Sequence, residues 1–165
     1  FQAGFEAGVK EVDPKVKVEV KYLTPDGDFS GFNDSAKGQT VTSGLYDNGA
    51  DVVYHAAGGS GAGVFNSAAK ADRLAIGVDS NQYFQVDAKQ QPCILSSMLK
   101  RVDVAVYDTV KAFAADQFKA GVSTFDLANG GIDYSTAGGQ VKDKDAIDAL
   151  KQKIIDGDIT VPTEP

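Results

Sequence analysis

The sequence predicts an α/β domain built on a parallel sheet, a Rossmann-like three-layer αβα sandwich. Three observations carry that expectation. Residues 51–57, 74–79 and 93–97 are short apolar runs without alternation, the pattern of strands covered on both faces. Helical periodicities of ten or more residues follow them, so successive strands are joined by crossovers long enough for right-handed βαβ units. The stretch YHAAGGSGAGVF, Tyr54 to Phe65, runs from a strand into glycines and restarts apolar, the form of a strand-to-helix turn that something approaches closely.

Composition narrows the function. The chain has 165 residues and is 42% hydrophobic, enough for one sizeable core. Its 16 basic and 23 acidic residues give a net charge of −7, which opposes binding to nucleic acid and to anionic lipid. No run approaches the roughly 20 apolar residues of a spanning helix. Cys93 is alone, which removes an internal disulfide and leaves the compartment open. A chain opening FQAGFEAGVK starts as if inside a helix, as expected of an excised or processed piece.

Along the chain, Phe1, Phe5 and Val9 form a helical stripe that ends at Asp13-Pro14, because the residue before proline resists the helical region. Val16, Val18, Val20 and Tyr22 alternate with charged residues, which predicts an edge strand with one wet face. A helix follows over 36–48, with Ala36, Val41, Gly44 and Leu45 inward and Gly49 as its stop. A shorter helix is expected over 61–71, between the strands at 51–57 and 74–79. After the strand at 93–97, a long helix over 98–118 carries Val102, Val106, Val110 and Phe113 on one face. A strand at 123–128, a Gly-rich loop over 129–139 and a helix over 143–156 with Ile147, Leu150 and Ile154 inside complete the chain.

Parallel sheets bind ligands at the carboxyl ends of their strands, so those ends hold the candidates. Gly58, Gly59, Gly61 and Gly63 expose bare N–H groups before a helix, a place for an electronegative oxygen. The stretch matches neither phosphate-loop signature, and close packing of a turn explains it as well. Asp79 ends the strand LAIGVD. Its carboxylate either accepts a pair of hydroxyls, as a site for a sugar diol does, or caps the next helix. Lys100 and Arg101 open the long helix, where positive charge costs up to about 1 kcal/mol against the macrodipole, so one of them is expected to serve a ligand or Asp79. In the polar loop DGDFSGFND, Phe32 is the better stacking platform and Phe29 the better anchor to the core. His55 is expected to be a satisfied core residue and Cys93 a small buried hydrophobe. No nucleophile, base and orienter assemble, no spacing suggests zinc, and the scattered Asp residues form no calcium loop.

Taken in order, FQAGFEAGVK, GFNDSAKGQ, YHAAGGSGAGVF, IGVDSNQ and SSMLKRVDVAVYD resemble the basic membrane protein family of ABC-transporter solute-binding lipoproteins, which includes purine nucleoside receptors. The resemblance covers nearly the whole chain. It implies a type I periplasmic-binding fold of two lobes closing on a purine nucleoside. This chain corresponds to the C-terminal lobe over 1–97, a helix over 98–121 that packs on the N-terminal lobe, and a return segment over 122–165. On this resemblance the N-terminal lobe would lie outside this stretch, as would the strand before the first helix, beside which Val16–Tyr22 would lie at the sheet margin. By position, Phe32 would stack on the base, Gly58 would offer its backbone, and Asp79 and Lys100 would bind the ribose hydroxyls.

The resemblance further implies a binder that is not an enzyme, with no cofactor and no metal, partnered by an ABC transporter permease. Its place would be extracytoplasmic, attached to the cell membrane only through a lipid anchor outside this chain. Without the second lobe, the Val102 to Phe113 stripe is expected to lie against absent chain or a neighbouring molecule. Three alternatives stand beside this: a sugar or autoinducer receptor of the same fold, a nucleotide-dependent oxidoreductase using the glycine turn, and the effector domain of a transcriptional regulator.

Overall fold

A computed structural model describes residues 1–165. Its centre is a four-stranded sheet in the order β1 (Val52–Tyr54), β2 (Leu74–Asp79), β3 (Ile94–Lys100), β4 (Ile132–Tyr134). The first three strands are parallel, as the crossovers require, and β4 runs antiparallel to β3. Five helices flank the sheet: α1 (Gln2–Val12), α2 (Ser35–Asp47), α3 (Gly61–Ala71), α4 (Val102–Ala114) and α5 (Lys144–Asp156).

The core lies where α2 and α3 cover the β1-β2-β3 sheet. Val53, Ala75 and Ile94 from the strands meet Val64, Phe65 and Ala68 of α3 and Tyr46 of α2. The helices touch backbone to backbone. A Cβ on Gly38 would come within 2.5 Å of the Ser60 carbonyl oxygen, and one on Gly63 would overlap the carbonyl oxygen of Ser35. Hence α2 buries Gly38, Thr42 and Tyr46; of the residues its apolar pattern suggested, Leu45 packs half-buried against the core and Val41 is half-buried, while Ala36 and Gly44 are exposed. A helix packed on another at this range turns its small residues inward. The Tyr46 hydroxyl then donates to the Leu74 carbonyl at 2.8 Å, tying α2 to β2.

Three expectations are corrected. Residues 16–22 are not a sheet strand: residues 17–23 make no backbone hydrogen bond, and β1 pairs only with β2. An apolar groove of about 930 Å³, lined among others by Phe5, Val18, Val53 and Tyr54, separates the two. Val16, Val20 and Tyr22 of the expected dry face are exposed too, so alternation gave the segment neither a covered face nor a partner for its backbone. The strand expected at 123–128 is a turn, because Asp126 Oδ1 accepts from the N–H of Ala128 and Asn129 and so satisfies the backbone locally. The fourth strand instead lies within the expected loop. The long helix begins at Val102, since Met98–Lys100 continue β3 beside β4. Within this chain nothing covers the α4 stripe: Val102, Val106, Val110 and Phe113 are 57–71% exposed.

At the far end, α5 lies as expected, with Leu150 and Ile154 half-buried and Ile147 more open. Lys151 Nζ, 3.1 Å from Asp133 Oδ1, and the Tyr134 hydroxyl, donating to Asp148 at 2.8 Å, fasten it to β4.

The contact between α2 and α3 predicts opposite outcomes for two glycines. Gly63→Ala is expected to cost about 3 kcal/mol, the upper range for overpacking. Gly44→Ala, in α2 with nothing near its Cβ position, is expected to gain about 0.5–1 kcal/mol. Urea unfolding of both variants checks this, and equal effects would contradict the packing.

Candidate functional site

Because β1, β2 and β3 are parallel, their carboxyl ends share one edge of the sheet, and the chain leaves each through a separate turn. After β1, the chain turns at Gly58, whose φ of +54° suits a residue without Cβ. A Cβ there would lie 3.3 Å from the Phe32 carbonyl oxygen and 3.4 Å from its ring. Phe32 therefore sits directly on the glycine turn, its own side half open to solvent.

The Phe32 loop is held by one buried hydroxyl. Ser60, fully buried, donates to the Gly31 carbonyl at 2.6 Å and accepts from the Asp34 N–H at 2.7 Å. Asp34 in turn caps α2 by accepting from Lys37 N–H, and Asp28 accepts from Ser30 N–H at the loop's other end. Hydrogen bonding to Ser30 holds the Asp28 carboxyl below its ordinary range. Phe29 is not the expected anchor: at 74% exposure it lies outside, its ring 6.4 Å from that of Phe32.

After β2, Asp79 adopts φ +68°, unusual for a residue with a side chain. It caps no helix, since the following turn is preceded by Asn81. Instead its carboxylate pairs with Lys100 Nζ at 2.9 Å. Lys100 is the last residue of β3, not the first of a helix, so the macrodipole cost assigned to it does not arise. Arg101 alone stands at the start of α4, where Asp103 meets it at 2.7 Å and offsets it. That bond also holds the Asp103 carboxyl low. Lys100 Nζ lies 5.1 Å from the centre of the Phe1 ring, a cation–π contact, while Phe5 stacks on Tyr54. Burial, with Asp79 adding to it, pushes the Tyr54 phenol up to about 12.

The structure thus sets Phe32 on Gly58 and Lys100 on Asp79, the first pair at the turn after β1 and the second at the ends of β2 and β3, along the same sheet edge. A ring face, bare backbone, a carboxylate and an ammonium suit a solute with a flat apolar part and vicinal hydroxyls. His55 is buried as expected; burial lowers its pKa and keeps it neutral. Sequence reasoning missed Ser60 and Gln82, whose side chains organise these turns from inside; a serine and a glutamine in polar stretches give no periodic signal. The cleft of about 380 Å³ between β4 and α5 differs in kind: its Lys144, Lys151, Asp133 and Asp148 are paired with one another.

Residues 1–164 match the family model described as ABC transporter substrate-binding protein PnrA-like. The chain is 36% identical over 178 residues to the ABC transporter nucleoside-binding protein BmpA of Lactococcus lactis, covering 99% of this chain and 49% of that one. It is 34% identical over 141 residues to an uncharacterized lipoprotein of Pyrococcus furiosus, covering 81% of this chain and 34% of that one. Among solved structures, it resembles an ABC transporter system solute-binding protein from Conexibacter woesei. There the TM-score is 0.74 at 22% identity, over 97% of this chain and 51% of that one. The chain spans about half the length, or less, of these relatives.

His55 is the chain's only histidine, which gives a clean pH signature. Its folded pKa lies below the unfolded value of about 6.5, so the unfolded state takes up the proton first and stability falls as pH drops from 7 toward 5. Denaturant midpoints across that window are expected to decline in the parent and to flatten in His55→Asn. A flat parent profile would contradict the buried neutral imidazole.

Proposed function

The chain belongs to the Bmp family of PnrA-like ABC transporter substrate-binding proteins, and from that premise we propose that it forms the C-terminal lobe of a purine nucleoside receptor for an ABC importer. The carrying observation is the pairing of Phe32 on Gly58 beside Asp79 on Lys100 along one sheet edge. Phe32 stacks on the base. The Gly58 turn offers backbone N–H groups. Asp79 accepts from the ribose hydroxyls, and Lys100 donates to their oxygens while holding the carboxylate in place.

Residues 1–97, with Met98–Lys100 continuing β3, supply this half of the clamp, and a second lobe closes over the nucleoside from the other side, removing base and sugar from water together. The exposed α4 stripe, within the expected 98–121 segment, then packs on that lobe, and 122–165 returns to this one. No helix is long and apolar enough to cross a membrane. The protein works outside the cytoplasm, delivering its solute to a permease, in line with the lipoprotein name of the Pyrococcus relative.

The test is calorimetric titration of the intact two-lobed protein with inosine and guanosine. Asp79→Ala is expected to weaken nucleoside binding about 30-fold, equivalent to about 2 kcal/mol lost when buried partners are left unpaired. Ribose alone should bind far more weakly, and NAD not at all. Unchanged affinity in Asp79→Ala would remove that residue from the site. Tighter binding of a free sugar would favour a polyol receptor.

A further inference from the structure

We propose that His55 and Gln82 form an internal positioning pair that fixes the spacing between the Gly58 turn and the Asp79 turn, and thereby which solutes fit across them. This rests on the reading of that edge as the solute site. β1 and β2 remain bonded as far as His55, whose N–H donates to the Ile76 carbonyl at 3.3 Å, and then they part. The next donor on β2, the Val78 N–H, leaves the ladder. It donates instead to Gln82 Oε1 at 2.7 Å.

The same oxygen lies 3.0 Å from His55 Nε2. The Val78 N–H is a donor, so the Gln82 atom facing it is the amide oxygen, and His55 must carry its hydrogen on Nε2. Nδ1 is then the acceptor and faces the Ala57 N–H at 3.4 Å, at the entrance to the glycine turn. One amide oxygen thus collects a donor from the end of each diverging strand. Gln82 is itself fixed, because its N–H donates to the fully buried Ser97 hydroxyl of β3 at 3.1 Å.

Two glycines are fitted to this brace. A Cβ on Gly61 would overlap the His55 imidazole, and one on Gly77 would lie 2.5 Å from Gln82 Oε1 and 2.9 Å from Ser97 Oγ. The close approach that the glycine-rich stretch announces is therefore partly made from within, by a side chain of the preceding strand. Asp79 follows Val78 directly, and Gly58 stands three residues after His55. Neither member of the pair needs to touch solute: they act through the two turns. Their separation sets how far the ring-stacking group stands from the diol-binding group, which distinguishes a nucleoside from a free sugar.

The experiment compares Gln82→Leu, Gln82→Asn and Gln82→Glu. Leucine removes the acceptor, asparagine withdraws it by one methylene, and glutamate keeps an oxygen in reach of both donors. In the intact protein, calorimetry should show inosine affinity falling about tenfold in the leucine and asparagine variants. The preference for inosine over ribose should narrow, and the glutamate variant should recover both. Without ligand, amide exchange of Val78 should accelerate in the first two variants and stay slow in the third. The asparagine variant serves if the leucine variant does not fold. Parent-like affinity and Val78 exchange in Gln82→Asn would overturn the proposal, as would a glutamate variant as impaired as leucine. If the parent binds no nucleoside, the reading of the site fails, while the Val78 exchange still decides whether the brace exists.

Discussion

The backbone contact between α2 and α3 is the constraint on which the rest of the structure depends. At Gly38 and Gly63 the two helices leave no room for a Cβ, so they settle at a distance that side chains would forbid. That distance puts Ser60, at the start of α3, under the loop before α2, where one hydroxyl serves both a carbonyl and an N–H of the loop. Phe32 is consequently laid on the glycine turn by packing far below it, with no large apolar anchor of its own. The glycine-rich stretch divides its labour: Gly61 makes way for the His55 ring and Gly63 for the α2 backbone, and Gly58 for the backbone and ring of Phe32.

A parallel sheet then collects the remaining groups without further design. Three strands pointing the same way deliver three turns to one edge, each with a different chemistry. The Asp79–Lys100 pair is half exposed and so contributes little to stability, on the order of 0–1 kcal/mol. Its worth lies in presenting charge of both signs to the same small volume. Regions away from this edge are bound less firmly. Residues 17–23 lack backbone hydrogen bonds, and α4 buries none of its residues, which places both at the low end of local stability.

How far the sequence shows this fold depends on which physical signal each element leaves. β2 and α3 lie where their apolar patterns place them, since both pack into the core. Val16–Tyr22 misleads because alternation is a pattern of side chains alone, whereas a strand also needs a partner for its backbone. Met98–Lys100 are compatible with either period, and pairing with β2 on one side and with β4, a long way along the chain, on the other decides for strand. In 123–128 the side chain of Asp126 outcompetes a ladder. At the candidate site, Gly58 and Asp79 were legible as residues at strand ends, while Lys100, which the sequence placed at the start of a helix, ends β3 instead. Ser60, Gln82 and Ser97 were not legible: a polar side chain turned inward to satisfy a buried backbone group looks, in one dimension, like any surface residue.

The central claim is that one edge of the sheet receives a single solute, with aromatic ring and ion pair acting together. The most direct measurement is a nitrogen-15 correlation spectrum of this chain titrated with inosine, which reports even weak binding residue by residue. The account predicts shifts concentrated at the amides around Phe32, Gly58, Asp79 and Lys100, moving along one common saturation curve. Shifts centred instead on the cleft near Tyr134 and Lys151, or a spectrum unchanged at millimolar nucleoside, would contradict it.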